Sequence, residues 1–254
     1  MTDTLARAHT PVTPLGGRRV VITGGTTGIG RAIAVLLASE GARVFVCGRD
    51  PQHLRDALTA VGEAAREGGS GEGINLDLAE PGATRRLFDE AEAKLGGVDV
   101  AIMNAAVAVD GLTDVSEDEL RYAIAADFTA YMLGAWEASR RIGEGDIVFT
   151  GSMSAHILGP SSTVYAGIKA GVAGFSEALR KELGDKGIRV SLVEPGKTKA
   201  DFGDAPDAEQ KEKVAKEETL RAEDIAVGVH YLLTQPRRTV VQQLTIVPRA
   251  QSGE

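Results

Sequence analysis

The stretch Arg19-Val-Val-Ile-Thr23-Gly24-Gly25-Thr26-Thr27-Gly28-Ile29-Gly30 decides the fold. Residues 19–23 read as a buried strand, and 30–40 as an amphipathic helix that Gly41 ends. Between them runs a glycine-rich turn. The start of a helix offers backbone N–H groups and the positive end of the helix dipole, both suited to a pyrophosphate. Glycines are needed there because a Cβ blocks both the tight turn and the close approach of phosphate. Gly24, Thr26, Thr27, Gly28, Ile29 and Gly30 are therefore expected to hold a dinucleotide. The plainer reading is a simple turn, since such spacing also arises by chance.

Working outward, short aliphatic runs recur at 43–47, 74–76, 98–103, 146–150, 188–193 and 243–247, with helical stretches between them such as 81–95 and 116–142. The second of these opens with Ser116 and Glu119 at capping-box spacing. Strands alternating with helices predict an α/β fold: a single-domain, Rossmann-like, doubly wound and mainly parallel seven-stranded sheet with helices on both faces. Residues 15–254 form that domain in this reading, and 1–14 a flexible extension. Ligands bind such sheets beyond the carboxyl ends of the strands.

Composition narrows the partners. The chain has 254 residues, of which 36 are acidic and 28 basic, for a formal charge of -8. That balance argues against nucleic acid and against an anionic membrane surface. No apolar run approaches the roughly 18 residues that a membrane span requires. Cys47 is the single cysteine and cannot form an internal disulfide, so a cytoplasmic location is expected. No cluster of Cys, His or carboxylate residues suggests a metal.

The end of the second strand speaks to the cofactor. A carboxylate there bonds the adenosine ribose of NAD and repels a 2′-phosphate. This chain has Gly48-Arg49, and a guanidinium suits a 2′-phosphate through forked, charge-assisted contacts. NADP(H) is therefore favoured over NAD(H). The alternative is a solvated Arg49 facing Asp50.

The TGGTTGIG loop, Asp77, Asn104-Ala105-Ala106, Ser152, Tyr165-Ala-Gly-Ile-Lys169 and Pro195-Gly196 occur in the order found in short-chain dehydrogenase/reductases, and the chain resembles that family from about residue 16 to 251. The resemblance implies an oxidoreductase that interconverts an alcohol and a ketone or aldehyde, with Tyr165 as general acid/base and Ser152 and Lys169 beside it. It also implies cofactor contacts from Asp77, Leu78, Asn104, Ala105, Tyr165, Lys169, Pro195, Gly196 and Thr198, and a homodimer or homotetramer. The polar, charge-rich stretch that follows is expected to form a substrate lid over about 197–219, or else a solvated helix face. The tail Leu244-Thr-Ile-Val-Pro248 is loosely similar to NADP-linked reductases of hydroxy acids or varied ketones.

The chemistry of these residue types fits that reading. Tyr165 and Lys169 are four apart and share one helix face. An ammonium beside a phenol stabilises the phenolate and lowers its pKa from near 10. The same helix carries an apolar stripe of Ile168, Val172, Phe175 and Leu179. Ser152 follows the fifth strand, where a hydroxyl can hold a substrate oxygen, and His156 and Leu158 are expected along the substrate pocket.

Two positions depart from the family pattern. Ala106 replaces a glycine. Asp127 stands where many members carry an asparagine that holds a water linked to the catalytic lysine. Asp127 either takes over that part of the proton relay or is an interface or core carboxylate paired elsewhere; Asp77 similarly either contacts adenine or caps a helix. Two other functions keep the same cofactor site: a redox-neutral epimerase and a dinucleotide-sensing regulator.

Overall fold

The structure, a computed structural model, describes residues 12–199 and 214–250. In chain order the main elements are β1 (Arg19–Ile22), α1 (Gly28–Ser39), β2 (Arg43–Gly48), α2 (Pro51–Ala64), β3 (Ser70–Asn75), α3 (Ala83–Leu95) and β4 (Val100–Met103). They continue with α4 (Glu117–Ile124), a π-helical turn (Ala125–Thr129), α5 (Ala130–Arg141), β5 (Gly145–Thr150), α6 (Thr163–Leu183) and β6 (Ile188–Pro195). Two short strands, β7 (Thr198–Lys199) and β8 (Leu220–Arg221), precede α7 (Ala222–Thr234) and β9 (Gln243–Ile246).

Seven strands form one sheet in the order β3-β2-β1-β4-β5-β6-β9, with every neighbouring pair parallel. The expected doubly wound, seven-stranded α/β architecture is what the chain adopts. β1 pairs with β2 on one side and β4 on the other, so the strand order reverses beside β1. That reversal opens a crevice at the carboxyl ends of β1 and β4, the place where such sheets take ligands. Strands β4, β5 and β6 are buried throughout, as parallel strands covered on both faces must be.

The two faces have separate cores. One packs Phe88, Tyr131, Phe149 and Val172 with their neighbours, and the other packs Ile22, Ile33, Leu37, Val229 and Leu233. At the far end of the sheet, buried Asp146 accepts from Arg18 and from Arg189, each at 2.6 Å, tying β1, β5 and β6 together away from the crevice.

Several expected boundaries shift for physical reasons. The third strand runs over Ser70–Asn75 rather than 74–76. Its glycines disguise it: a Cβ at Gly71 would lie 2.5 Å from Val61, and one at Gly73 would lie 2.7 Å from the Val46 carbonyl, so close packing excludes the β-branched residues that signal strands. The helix expected over 116–142 is two helices joined by the π turn at Ala125–Thr129, although the Ser116/Glu119 capping box is formed. A second, two-stranded sheet of β7 and β8 was not expected. It joins the two ends of the expected lid segment, whose residues 200–213 lie outside the described residues. Of the expected N-terminal extension, residues 1–11 also lie outside them. Thr13 is tied to α7 by bonds to the carbonyls of Thr234 and Gln235.

Candidate active site

A cleft of about 680 Å³ runs across the carboxyl ends of the strands. Its lining includes Gly24, Thr26, Thr27, Gly28 and Ile29 at one wall, Arg49, Asp77 and Leu78 at one end, and Ser152, Tyr165 and Lys169 at the other. Asn104, Ala105, Pro195, Gly196 and Thr198 also face it. Apart from Gly30, Asp127, His156 and Leu158, the residues singled out in sequence thus line one cavity.

The glycine turn is a close-packed cradle. Gly24 has φ +62°, and a Cβ there would sit 2.7 Å from the Ala105 Cα. Asn104 binds this turn to β4 and β5. Its Nδ2 donates to the carbonyls of Thr23 and Gly24, each at 3.3 Å, and its Oδ1 accepts from the Thr150 hydroxyl at 3.2 Å. Ala106 takes no left-handed backbone, so an alanine in place of glycine carries no penalty from φ. Thr27 precedes α1 without a side-chain cap, and the first turn of α1 holds no acidic residue. By contrast α4 begins with Glu117, Asp118 and Glu119. Of these two helix starts, the one at the cleft is kept clear for an anion.

Arg49 does not face Asp50. The Asp50 carboxylate caps α2, accepting from the N–H groups of Gln52 and His53 at 2.7 and 2.8 Å. The Arg49 guanidinium instead lies over the Tyr122 ring, 5.6 Å from its centroid, and donates to the Tyr122 hydroxyl. Tyr122 in turn donates to Asp77 Oδ2 at 2.8 Å. Asp77 Oδ1 accepts from Ala79 N–H at 2.9 Å, closing a turn, and the residue lines the cleft.

At the other end, α6 carries Tyr165 and Lys169 on one face. Lys169 is 1 % exposed, and its Nζ donates to the Thr150 carbonyl at 3.0 Å and to the Tyr131 hydroxyl at 3.4 Å. It also lies over the rings of Tyr131 and Tyr165, at 4.9 and 5.5 Å. Burial lowers its pKa to about 8, against the opposing pull of Asp127. The Ser152 hydroxyl stands beside the Tyr165 phenol and draws its pKa down, and Ser152 Oγ accepts from Ser154 N–H at 3.0 Å.

The expectation that Lys169 lowers the Tyr165 pKa is not met in the chain on its own. Burial pushes the phenol above its ordinary value; the neighbouring Ser152 hydroxyl opposes this and the Asp127 charge adds to it. Lys169 spends its hydrogen bonds on Thr150 and Tyr131 instead of the phenol oxygen.

Asp127 is fully buried on the π turn. Such turns insert one residue into a helix and re-aim the side chains around it. Its Oδ1 accepts from the Val107 N–H at 2.8 Å, holding the cleft-side loop after β4, while Oδ2 finds no hydrogen-bonding partner among the described residues. Burial raises its pKa to about 6, with Lys169 the chief opposing charge. One carboxylate oxygen thus has a structural partner in the Val107 N–H, and the charge of the group is felt at Lys169.

His156 and Leu158 do not line the cleft. Leu158 is exposed, and His156 Nε2 pairs with the buried Glu194 carboxylate at 2.9 Å. Sequence reasoning missed Tyr122 and Tyr131. Both lie on the helical stretch it read as one element, five residues before and four after Asp127, and only the chain's path brings them to Arg49 and Lys169.

A family model described as short chain dehydrogenase matches residues 18–211. An uncharacterized oxidoreductase of Staphylococcus aureus is 29% identical over 241 residues, 93% of this chain and all of that protein. Elsinochrome reductase 1 of Elsinoe fawcettii is 34% identical over 192 residues, 74% of this chain and 71% of that protein. The crystal structure of a short chain dehydrogenase from Burkholderia cenocepacia in complex with NADP superposes with a TM-score of 0.83 at 30% identity, covering 92% of this chain and 98% of that one.

Proposed function

The chain belongs to the short-chain dehydrogenase/reductase family of oxidoreductases, and from that premise we propose that it interconverts an alcohol and a ketone or aldehyde with NADP(H), Tyr165 acting as general acid/base. The observation that carries this reading is the meeting of the Tyr165 phenol, the Ser152 hydroxyl and the Lys169 ammonium at one end of a cleft walled by the glycine turn.

The residues present fit a dinucleotide. Gly24 and Gly28 take left-handed backbone, a Cβ at Gly24 would fill the cradle, and the start of α1 is clear of carboxylates. A bound nicotinamide supplies or accepts the hydride. The chain does the rest. Ser152 holds the substrate oxygen beside the phenol. Tyr165, its pKa raised by burial, stays protonated at neutral pH and donates its proton to a carbonyl oxygen. Lys169, anchored by Thr150 and Tyr131, presents positive charge to the phenolate that forms. Asp127 steadies that charge, serves the return of the proton to Tyr165, and holds the Val107 wall.

Arg49 at the adenosine end supports NADP(H), as does the NADP bound to the Burkholderia protein. Calorimetric titration should give an affinity for NADPH at least about tenfold above that for NADH, one charge-assisted contact being worth roughly 1.5–3 kcal/mol. Equal affinities would overturn the preference. The buried, unpaired Cys47 supports a cytoplasmic location. Met132, Leu133 and Trp136, each 40–45 % exposed on α5, support a homodimer or homotetramer, which light scattering decides.

Asp127 has a pH signature. Its carboxyl titrates near 6 and Lys169 near 8, so both are charged between those values. The rate profile of the native chain should fall on the acid side near pH 6, and Asp127→Asn should lose that limb with kcat lowered by about tenfold. An unchanged profile and rate would remove Asp127 from the relay. Stability carries the opposite sign. The folded-state pKa lies above the ordinary 3.8, so the contribution of this group falls as pH rises from about 4 through 6. Thermal melts of Asp127→Asn should lack that decline.

A further inference from the structure

We infer that Tyr122 is a specificity-determining residue, which holds the Arg49 guanidinium over the adenosine end of the cleft so that it meets a 2′-phosphate pre-positioned. The inference deepens the NADP(H) reading and rests on it.

Hydrogen-bond directions here leave little freedom. An ionised carboxylate only accepts, so the Tyr122 hydroxyl must donate to Asp77 Oδ2. Its remaining lone pairs then face the guanidinium, which only donates. The chain Arg49→Tyr122→Asp77 therefore has one polarity. Burial and the Asp77 bond both hold the Tyr122 phenol above its ordinary pKa, while Arg49 pulls the other way, so it remains a neutral donor. Asp77 is itself fixed by the Ala79 N–H, and the ring of Tyr122 adds a cation–π contact.

An exposed arginine on a strand-end loop gives up considerable rotamer freedom when it clamps a phosphate. Tyr122 removes part of that cost before the ligand arrives, which is preorganisation. It does so without spending the guanidinium, because one N–H of five goes to the phenol. It also keeps the negative Asp77 one phenol away from the arginine, so the pair does not collapse into a salt bridge that would cancel the charge. The other nearby carboxylate, Asp50, is occupied at the start of α2, and His53 borders the same end of the cleft. Nothing in this arrangement distinguishes the parts that NADPH and NADH share. The Arg49 end of the chain of bonds addresses the 2′-phosphate, which NADH lacks.

Calorimetric titration of the full chain with NADPH and NADH tests the inference. Tyr122→Phe keeps the ring and removes the hydroxyl. It should weaken NADPH by about five- to tenfold and leave NADH within about twofold. Arg49→Ala should weaken NADPH more strongly and spare NADH, and adding Tyr122→Phe to it should change nothing further. Equal weakening of both cofactors by Tyr122→Phe would make Tyr122 an adenosine wall and overturn the inference. So would an unchanged NADPH affinity, or a full effect that persists in the Arg49→Ala background. If Arg49→Ala leaves NADPH affinity intact, the NADP(H) reading fails first and takes this inference with it; if Arg49→Ala acts and Tyr122→Phe does not, only the inference falls.

Discussion

Tyr165→Phe is expected to lower kcat for NADPH-dependent carbonyl reduction by about a thousandfold, with the Kd for NADPH unchanged within about twofold. The substitution removes one oxygen and keeps the ring. It deletes the phenolic proton that stands beside Ser152 at this end of the cleft. The other phenol at this end, Tyr131, is buried behind Lys169, and burial holds its pKa well above the ordinary value. It cannot stand in as the acid. Cofactor affinity should survive because Lys169 is anchored elsewhere, on Thr150 and Tyr131. Ser152 likewise keeps its contact with Ser154 N–H. Stopped-flow reduction of a ketone and aldehyde panel, paired with binding titration, separates the two effects. A variant as active as the parent would move the acid away from Tyr165. A parent chain that binds NADPH and oxidises it with no carbonyl compound would point to the dinucleotide-sensing regulator.

Which parts of this site can be read from sequence depends on how local their determinants are. The glycine turn and the Tyr165/Lys169 pair are local: each needs a fixed spacing within one element, and the structure keeps both in one cleft. The parallel, doubly wound sheet follows from the alternation of apolar strands and helices, again a short-range pattern. What escaped is set by long-range packing. β3 carries glycines because Val61 and Val46 stand too close for side chains, so its strand signal is erased by its neighbours. The π turn at Ala125–Thr129 is invisible to a helical periodicity that continues on both sides of it. Without that turn there is no reason to connect Tyr122 with Arg49 or Tyr131 with Lys169. His156 shows the converse failure. Its place after Ser152 suggests the substrate pocket, yet the buried carboxylate of Glu194 turns it away.

Gly30→Ala should cost about 3 kcal/mol of stability, lower the melting temperature by roughly 10 °C, and abolish measurable cofactor binding. The motif suggests a cofactor contact at Gly30, but the residue lies behind the cleft surface, and its constraint is packing. A Cβ there would stand 2.1 Å from the Gly24 carbonyl oxygen and 2.6 Å from Asn104 Nδ2. Neither neighbour can yield cheaply. The Gly24 carbonyl belongs to a turn already in left-handed backbone, and Asn104 Nδ2 is the donor that binds that turn to the end of β4. Relief therefore requires moving the whole cradle away from Ala105, and with it the backbone meant to meet a pyrophosphate. Gly62→Ala is the matched control. It lies in α2 with nothing within 4 Å of the added Cβ, so the same methyl should stabilise the helix by about 0.5–1 kcal/mol and leave binding untouched. Thermal melts and NADPH titration of the two variants side by side read the difference. If Gly30→Ala binds NADPH like the parent, the cradle is softer than its contacts imply, and the glycine motif would have to be explained by the approach of the ligand alone.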